Sequence, residues 1–165
     1  MRNDTRKLTL TSIFIAMNVV LSHIIYIPVG PIKAFPMQHF INVLCAVFVG
    51  PWFGLAQAFI SSVLRNIFHT GSLFAFPGSM IGVLIAAFLY SKFKRIEAAS
   101  IGEWIGTGLV GSLCTIPLMW MIQIDTKGFI PIFYAFLVSS LVGSIIAYIL
   151  LVLLKKRNLL NKRNG

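Results

Sequence analysis

Three histidines, one arginine and a few amides carry most of the chemistry this chain offers. His23, His39 and His69 each stand near the end of an apolar run, and Gln38, Asn42, Arg65, Asn66 and Ser79 fall in the same stretches. His39 and Asn42 are three residues apart and Arg65 and His69 four apart, so each pair shares a helix face. These groups bind by hydrogen bonds, and Arg65 adds a fixed positive charge. The spacing suits recognition of a small polar molecule better than turnover. There is no GxxxxGK[ST] phosphate loop, no HExxH, no GxSxG and no pair of carboxylates. The chain therefore has no means of using ATP itself and no visible nucleophile or base.

The elements that hold these residues are read from hydropathy. Of the 165 residues 58% are hydrophobic and 11% charged, far from a soluble average. Runs such as "LTLTSIFIAMNVVLSHIIYI" and "FIPIFYAFLVSSLVGSIIAYILLVLL" are long enough to cross a bilayer as helices. The sequence predicts an all-α integral membrane protein: one domain over 1–165, with six transmembrane helices at about 8–27, 37–50, 52–69, 75–91, 100–122 and 129–154. Pro, Gly or charge marks each break, as in "PVGPIKAFP", "GPW", "HTGSLFAFPG", "KFKRIEAAS" and "IDTKG".

The formal net charge of +10 is gathered in clusters abutting the spans: Arg2, Arg6 and Lys7; Lys92, Lys94 and Arg95; Lys155, Lys156, Arg157, Lys162 and Arg163. That is the signature of cytoplasmic loops and of attraction to anionic lipid, and not of nucleic-acid binding. Both termini are then expected in the cytoplasm. Connections one, three and five face outward, and only Lys33 and Lys127 add positive charge there. Cys45 and Cys114 lie inside apolar runs and are expected to be small buried hydrophobes, with no disulfide framework. The first run lacks a small-residue cleavage site and is expected to be a retained helix.

Under this topology the eight polar residues named above converge near the outer ends of their helices. Polar groups at membrane depth are costly and usually face the bundle interior or a water-filled cavity, so the cluster predicts an outward-facing polar pocket. The second span is short, about 21 Å at 1.5 Å per residue. "KAFPMQHFIN" is therefore expected to dip into the pocket mouth as a loop, because irregular backbone at that depth must line a cavity or be buried in protein. Trp120, Gln123 and Tyr134 flank the fifth connection and offer a stacking face and a polar contact, or else belong to the interfacial aromatic belt. Other roles exist for single members. Arg65 could snorkel to headgroups or pair with Asp125, and His69 could cap a helix. The three histidines sit on three helices without metal-ligand spacing, so no metal and no cofactor are expected. Asp4 and Glu97 are cytoplasmic in this reading, Glu103 lies near the inner start of the fifth span, and only Asp125 is outside. So acid-poor a pocket fits a neutral heterocycle or an anion better than a cation.

Small residues recur four apart at Ser12–Ala16, Gly78–Gly82, Gly102–Gly106 and Gly143–Ala147, the spacing that lets helices approach closely in lipid. Ser12–Ala16 lies in the cytoplasmic half of the first helix, where another subunit could reach it.

"PVGPIKAFPMQHFINVL", "GPWFG", "SSVLRNIFHTGSLFAFPGSMIG" and "GEWIGTG" together resemble the ThiW family, substrate-binding (S) components of energy-coupling-factor (ECF) vitamin transporters. The resemblance runs from about residue 8 to 150. It implies a six-helix bundle in a prokaryotic cell membrane, energised by a transmembrane coupling protein and two ATPase subunits. It implies the thiamine precursor hydroxyethylthiazole as cargo. It also implies that Ser12 and Ala16 form the docking face on the first helix, with Ser where the family group usually has Ala. Substrate contacts are implied under the first outward loop and among the last three helices: Lys33, Phe35, Gln38 and His39, then Ser79, Trp120, Gln123 and Tyr134. Arg65, Asn66, His69 and Asn42 complete the candidate set from the residues' own chemistry. Three alternatives stay open: another thiamine-related or anionic vitamin precursor as cargo, a self-sufficient small secondary transporter or channel, and a membrane enzyme using His39 or His69 as base.

Overall fold

A computed structural model of the chain describes residues 2–29, 32–123, 125 and 128–158. The expected basic residues Lys127, Lys162 and Arg163 lie outside the described residues.

Among the described residues the regular structure is helical apart from one small two-stranded sheet. Helix α1 (Arg2–Ile24) leads into strands β1 (Ile27–Val29) and β2 (Ile32–Ala34). These pair antiparallel with Ile27 opposite Ala34, Pro28 opposite Lys33 and Val29 opposite Ile32. Then come α2 (Pro36–Phe48), α3 (Pro51–Ile67) and α4 (Ala75–Phe93). One interrupted rod follows, made of α5 (Ile96–Ile105), a π-helical segment (Gly106–Gly111) and α6 (Thr115–Met121). Helix α7 (Phe129–Lys156) closes the bundle.

Among the described residues four rods are long and apolar enough to cross a membrane: Asp4–Ile24, Ala75–Phe93, Ile96–Met121 and Phe129–Lys156. Helix α2 is shorter for a visible reason. All but one of its thirteen residues are buried, and it contacts α1, α3, α4, α5 and α7. It is the central post of the bundle, walled off from the surroundings by its neighbours. Proline opens both α2 and α3 at a position where the missing N–H costs nothing. Gly50, at φ 85°, makes the tight turn between them.

The packing is inside-out relative to a soluble protein. Ala58, Ala86, Ala87, Ala99 and Ala147 are fully buried at helix contacts, whereas Phe88, Ile101, Leu113, Ile149 and Leu153 face outward. Small residues inside permit close helix approach, and large apolar ones outside suit hydrocarbon. Gly102 and Gly106 on α5 and the π segment press against α4, where added Cβ atoms would meet Ala86 and Gly82.

Two sequence expectations are corrected. The stretch "KAFPMQHFIN" is not one irregular loop: Lys33 and Ala34 lie on β2, and from Pro36 onward the chain is already helix. Cys45 is buried beside Gln57, with Sγ 3.5 Å from Oε1, but Cys114 is exposed at the break before α6.

Candidate functional site

The hairpin and the adjoining ends of α1, α2, α3, α4 and α7 line a partly open cavity of about 590 Å³. That volume falls within the range of ordinary small-molecule sites. Ser22 and His23 come from the end of α1, Tyr26 from the link between α1 and β1, and Lys33 and Phe35 from the hairpin and its exit. Gln38 and His39 come from the first turn of α2, and Arg65 from the last turn of α3. The α3–α4 loop adds His69 through Ser72 and Phe74. Ile132, Ala135, Phe136 and Ser139 on α7 recur at helical spacing and so form a single wall.

His39 is held from both sides. Its Nδ1 lies 2.9 Å from Oε1 of Glu103, and its Nε2 lies 3.2 Å from Oγ of Ser139. The same Glu103 oxygen accepts from Asn42 Nδ2 at 3.0 Å and from the Thr107 hydroxyl at 2.9 Å. Asn42 Nδ2 also lies 3.0 Å from Ser79 Oγ. A carboxylate is an acceptor only, so Nδ1 carries the hydrogen and Nε2 is the ring atom left to face the cavity wall. The packing that permits this uses two glycines. A Cβ on Gly82 would meet Thr107 Oγ1 and Glu103 Oε2, and one on Gly143 would run into the Pro36 carbonyl and His39 Cβ.

Arg65 is 1% exposed and equally pinned. Nη1 donates to Gln38 Oε1, Nη2 donates to the Thr70 carbonyl at 3.2 Å, and the guanidinium lies 4.5 Å from the Phe35 ring centroid. Lys33 Nζ sits 4.5 Å from the ring centroid of Tyr26.

The structure thus gathers Lys33, Phe35, Gln38, His39, Arg65 and His69 around one cavity. Asn42 and Ser79 lie behind the wall, fully buried, and reach the cavity only through Glu103 and His39. Asn66 points elsewhere, donating to the carbonyls of Ser62 and Ser72, and so ties the α3–α4 loop back to α3. Trp120, Gln123 and Tyr134 are not brought to the cavity: Trp120 is 67% exposed, Tyr134 is 56% exposed, and Gln123 is exposed past the end of α6. Tyr134 fails by helical phase, lying on α7 between the wall residues Ile132 and Ala135 but turned away from both.

Arg65 neither snorkels outward nor pairs with Asp125. Glu103, which the sequence places only near the inner start of the fifth span, is fully buried beside His39. The i,i+4 pair of Glu103 and Thr107 inside an apolar run was the available signal, as was the Ser139–Ser140 pair on α7.

A family model described as "Thiamine-precursor transporter protein (ThiW)" matches residues 8–157. The chain belongs to the ThiW family. Its family is thus one of transporters and not of enzymes, and the apolar rods make this ThiW protein a multi-pass membrane protein. Its fold is similar to a solved structure reported as "Structure and mechanism of the S component of a bacterial ECF transporter", with a TM-score of 0.74 and 20% identity over 98% of this chain and 99% of that one. No curated protein matches the sequence.

Proposed function

We propose that this ThiW protein is the substrate-binding subunit of an ECF-type importer in a prokaryotic cell membrane and takes up hydroxyethylthiazole. The observation that carries this reading is the cavity beneath the hairpin, lined by His39, Gln38 and aromatic rings and by no carboxylate. A flat, neutral heterocycle with a hydroxyl group stacks on Phe35, Phe74 or Phe136. With its Nδ1–H directed at Glu103, His39 offers its Nε2 lone pair to the ligand hydroxyl in place of the Ser139 hydroxyl, which turns to its other acceptor, the Phe136 carbonyl. The hairpin covers the bound ligand.

In this reading the six helical rods all cross the membrane, α2 and α3 within the shelter of the others, with both termini in the cytoplasm. The chain holds no ATP-binding loop, so transport is driven by a transmembrane coupling protein and two ATPases. Ser12 and Ala16 suit that contact: they lie one turn apart on an exposed face of α1.

The test is uptake into proteoliposomes. Labelled hydroxyethylthiazole should accumulate only when the chain, the coupling protein, both ATPases and internal-facing ATP are all present. Accumulation by the chain alone would instead establish a self-sufficient transporter.

A further inference from the structure

The charge around the cavity is unbalanced. Arg65 and Lys33 both line it, and none of the described lining residues is acidic. Glu103 stands behind the wall and does not line the cavity: its Oε1 is taken by His39, Asn42 and Thr107, and its Oε2 is buried. Arg65 is the more telling cation because it is buried. Its partners, the Gln38 amide, the Thr70 carbonyl and the Phe35 ring, are all neutral, and its Nε–H is buried without an acceptor. Among the described residues no carboxylate lies within ion-pair distance of it.

A brace between α3, α2 and the α3–α4 loop needs only hydrogen bonds, which a neutral amide supplies. A guanidinium at membrane depth costs several kcal/mol unless a negative charge accompanies it. Planar, pinned and with N–H groups to spare, it is suited to receive an oxyanion through two parallel bonds. The cavity also has room, since a five-membered ring with a two-carbon tail fills only part of about 590 Å³.

We infer that Arg65 forms an anion subsite in this cavity, and that the phosphate monoester of hydroxyethylthiazole is held there more tightly than the alcohol. This rests on the proposed function, with the heterocycle seated against His39 and the aromatic rings. The phosphate extends from the same side chain toward Arg65, with Lys33 on the hairpin closing over it.

The experiment is calorimetric titration of the purified full chain with three probes: hydroxyethylthiazole, its phosphate monoester and inorganic phosphate. One charge-assisted hydrogen bond is worth about tenfold or more in affinity. The wild type should therefore bind the monoester at least about tenfold more tightly than the alcohol, and inorganic phosphate far more weakly than either. In Arg65→Gln the monoester should lose at least about tenfold more affinity than the alcohol does. Arg65→Lys, which keeps the charge without the planar fork, should fall between. Equal or tighter binding of the alcohol by the wild type overturns the anion subsite and leaves the thiazole reading standing. Inorganic phosphate matching the monoester overturns the assignment to a phosphorylated precursor. If neither thiazole compound binds, the proposed function itself fails. Should Arg65→Gln not fold, the wild-type ratio and Arg65→Lys decide the matter.

Discussion

Nδ1 of His39 and Oε1 of Glu103 meet at 2.9 Å across 64 positions of sequence, both side chains buried. This contact joins the central post α2 to α5 directly behind the cavity wall, and it fixes which nitrogen of His39 is left for a ligand. Removing the Glu103 carboxylate strands the buried Nδ1–H of His39 together with the Asn42 amide and the Thr107 hydroxyl, and each buried donor left without its acceptor costs about 1–3 kcal/mol. Glu103→Ala should therefore lower the thermal midpoint of the detergent-solubilised protein by several degrees or prevent its isolation. Glu103→Gln, which can still accept from Nδ1–H, should unfold much closer to wild type. Equal loss in both variants would contradict the pairing.

His39 itself is expected to carry affinity. In His39→Phe the ring shape is kept and both polar contacts vanish, so ligand binding should weaken by about tenfold or more, as for one buried hydrogen bond to a ligand. Titration of hydroxyethylthiazole into wild type and variant checks this. An unchanged dissociation constant would remove His39 from the site.

Gly143 sets the approach of α7 to the first turn of α2. An added methyl would meet the Pro36 carbonyl and the His39 Cβ at less than contact distance. Overpacking of this kind costs about 1–3 kcal/mol. Gly143→Ala should lower the thermal midpoint and weaken ligand binding together, because the displaced turn carries Gln38 and His39. A change at Ala147, one turn along the same helix, lies farther from that turn and serves as the comparison. A wild-type midpoint and affinity in Gly143→Ala would argue against this packing.

Trp120 and Tyr134 face away from the cavity. The double variant Trp120→Leu, Tyr134→Leu should keep its affinity for hydroxyethylthiazole within about threefold, less than the roughly tenfold value of one hydrogen bond to a charged group. A larger loss would mean that the ligand site extends to the α6–α7 end of the bundle.

Ser12 and Ala16 are expected to serve assembly and not binding. Ala16→Leu places a bulky group on the exposed face of α1, where close helix approach needs small residues. Ligand binding by the isolated chain should be unchanged, while co-purification with a coupling protein should be lost. Retention of the complex would move the docking face elsewhere.

The sequence made the helical rods and most of the cavity legible, since lipid imposes strong rules on both. Long apolar runs, Pro and Gly at breaks, and polar groups at one end of several runs point to α1, α4, α7 and to Lys33, Gln38, His39, Arg65 and His69. Short-range hydropathy could not show that α2 is enclosed on all sides, because enclosure is a property of its neighbours. Glu103 was missed for a related reason. Near the inner start of the fifth span it reads only as an acid remote from the outer pocket, and the three-dimensional approach of α5 to α2 reveals His39 and Asn42 beside it. Trp120 and Tyr134 were attractive by chemistry, yet helical phase and the break before α6 turn them outward. The hairpin was hidden because two three-residue strands leave almost no periodicity to read.

The most direct test of the account is equilibrium binding by the purified chain alone, without coupling protein or ATPases. Hydroxyethylthiazole or its phosphate monoester should bind saturably at one site per chain, and about tenfold or more weakly in His39→Phe. Absence of binding by both compounds, from protein that unfolds cooperatively at its normal temperature, would contradict it.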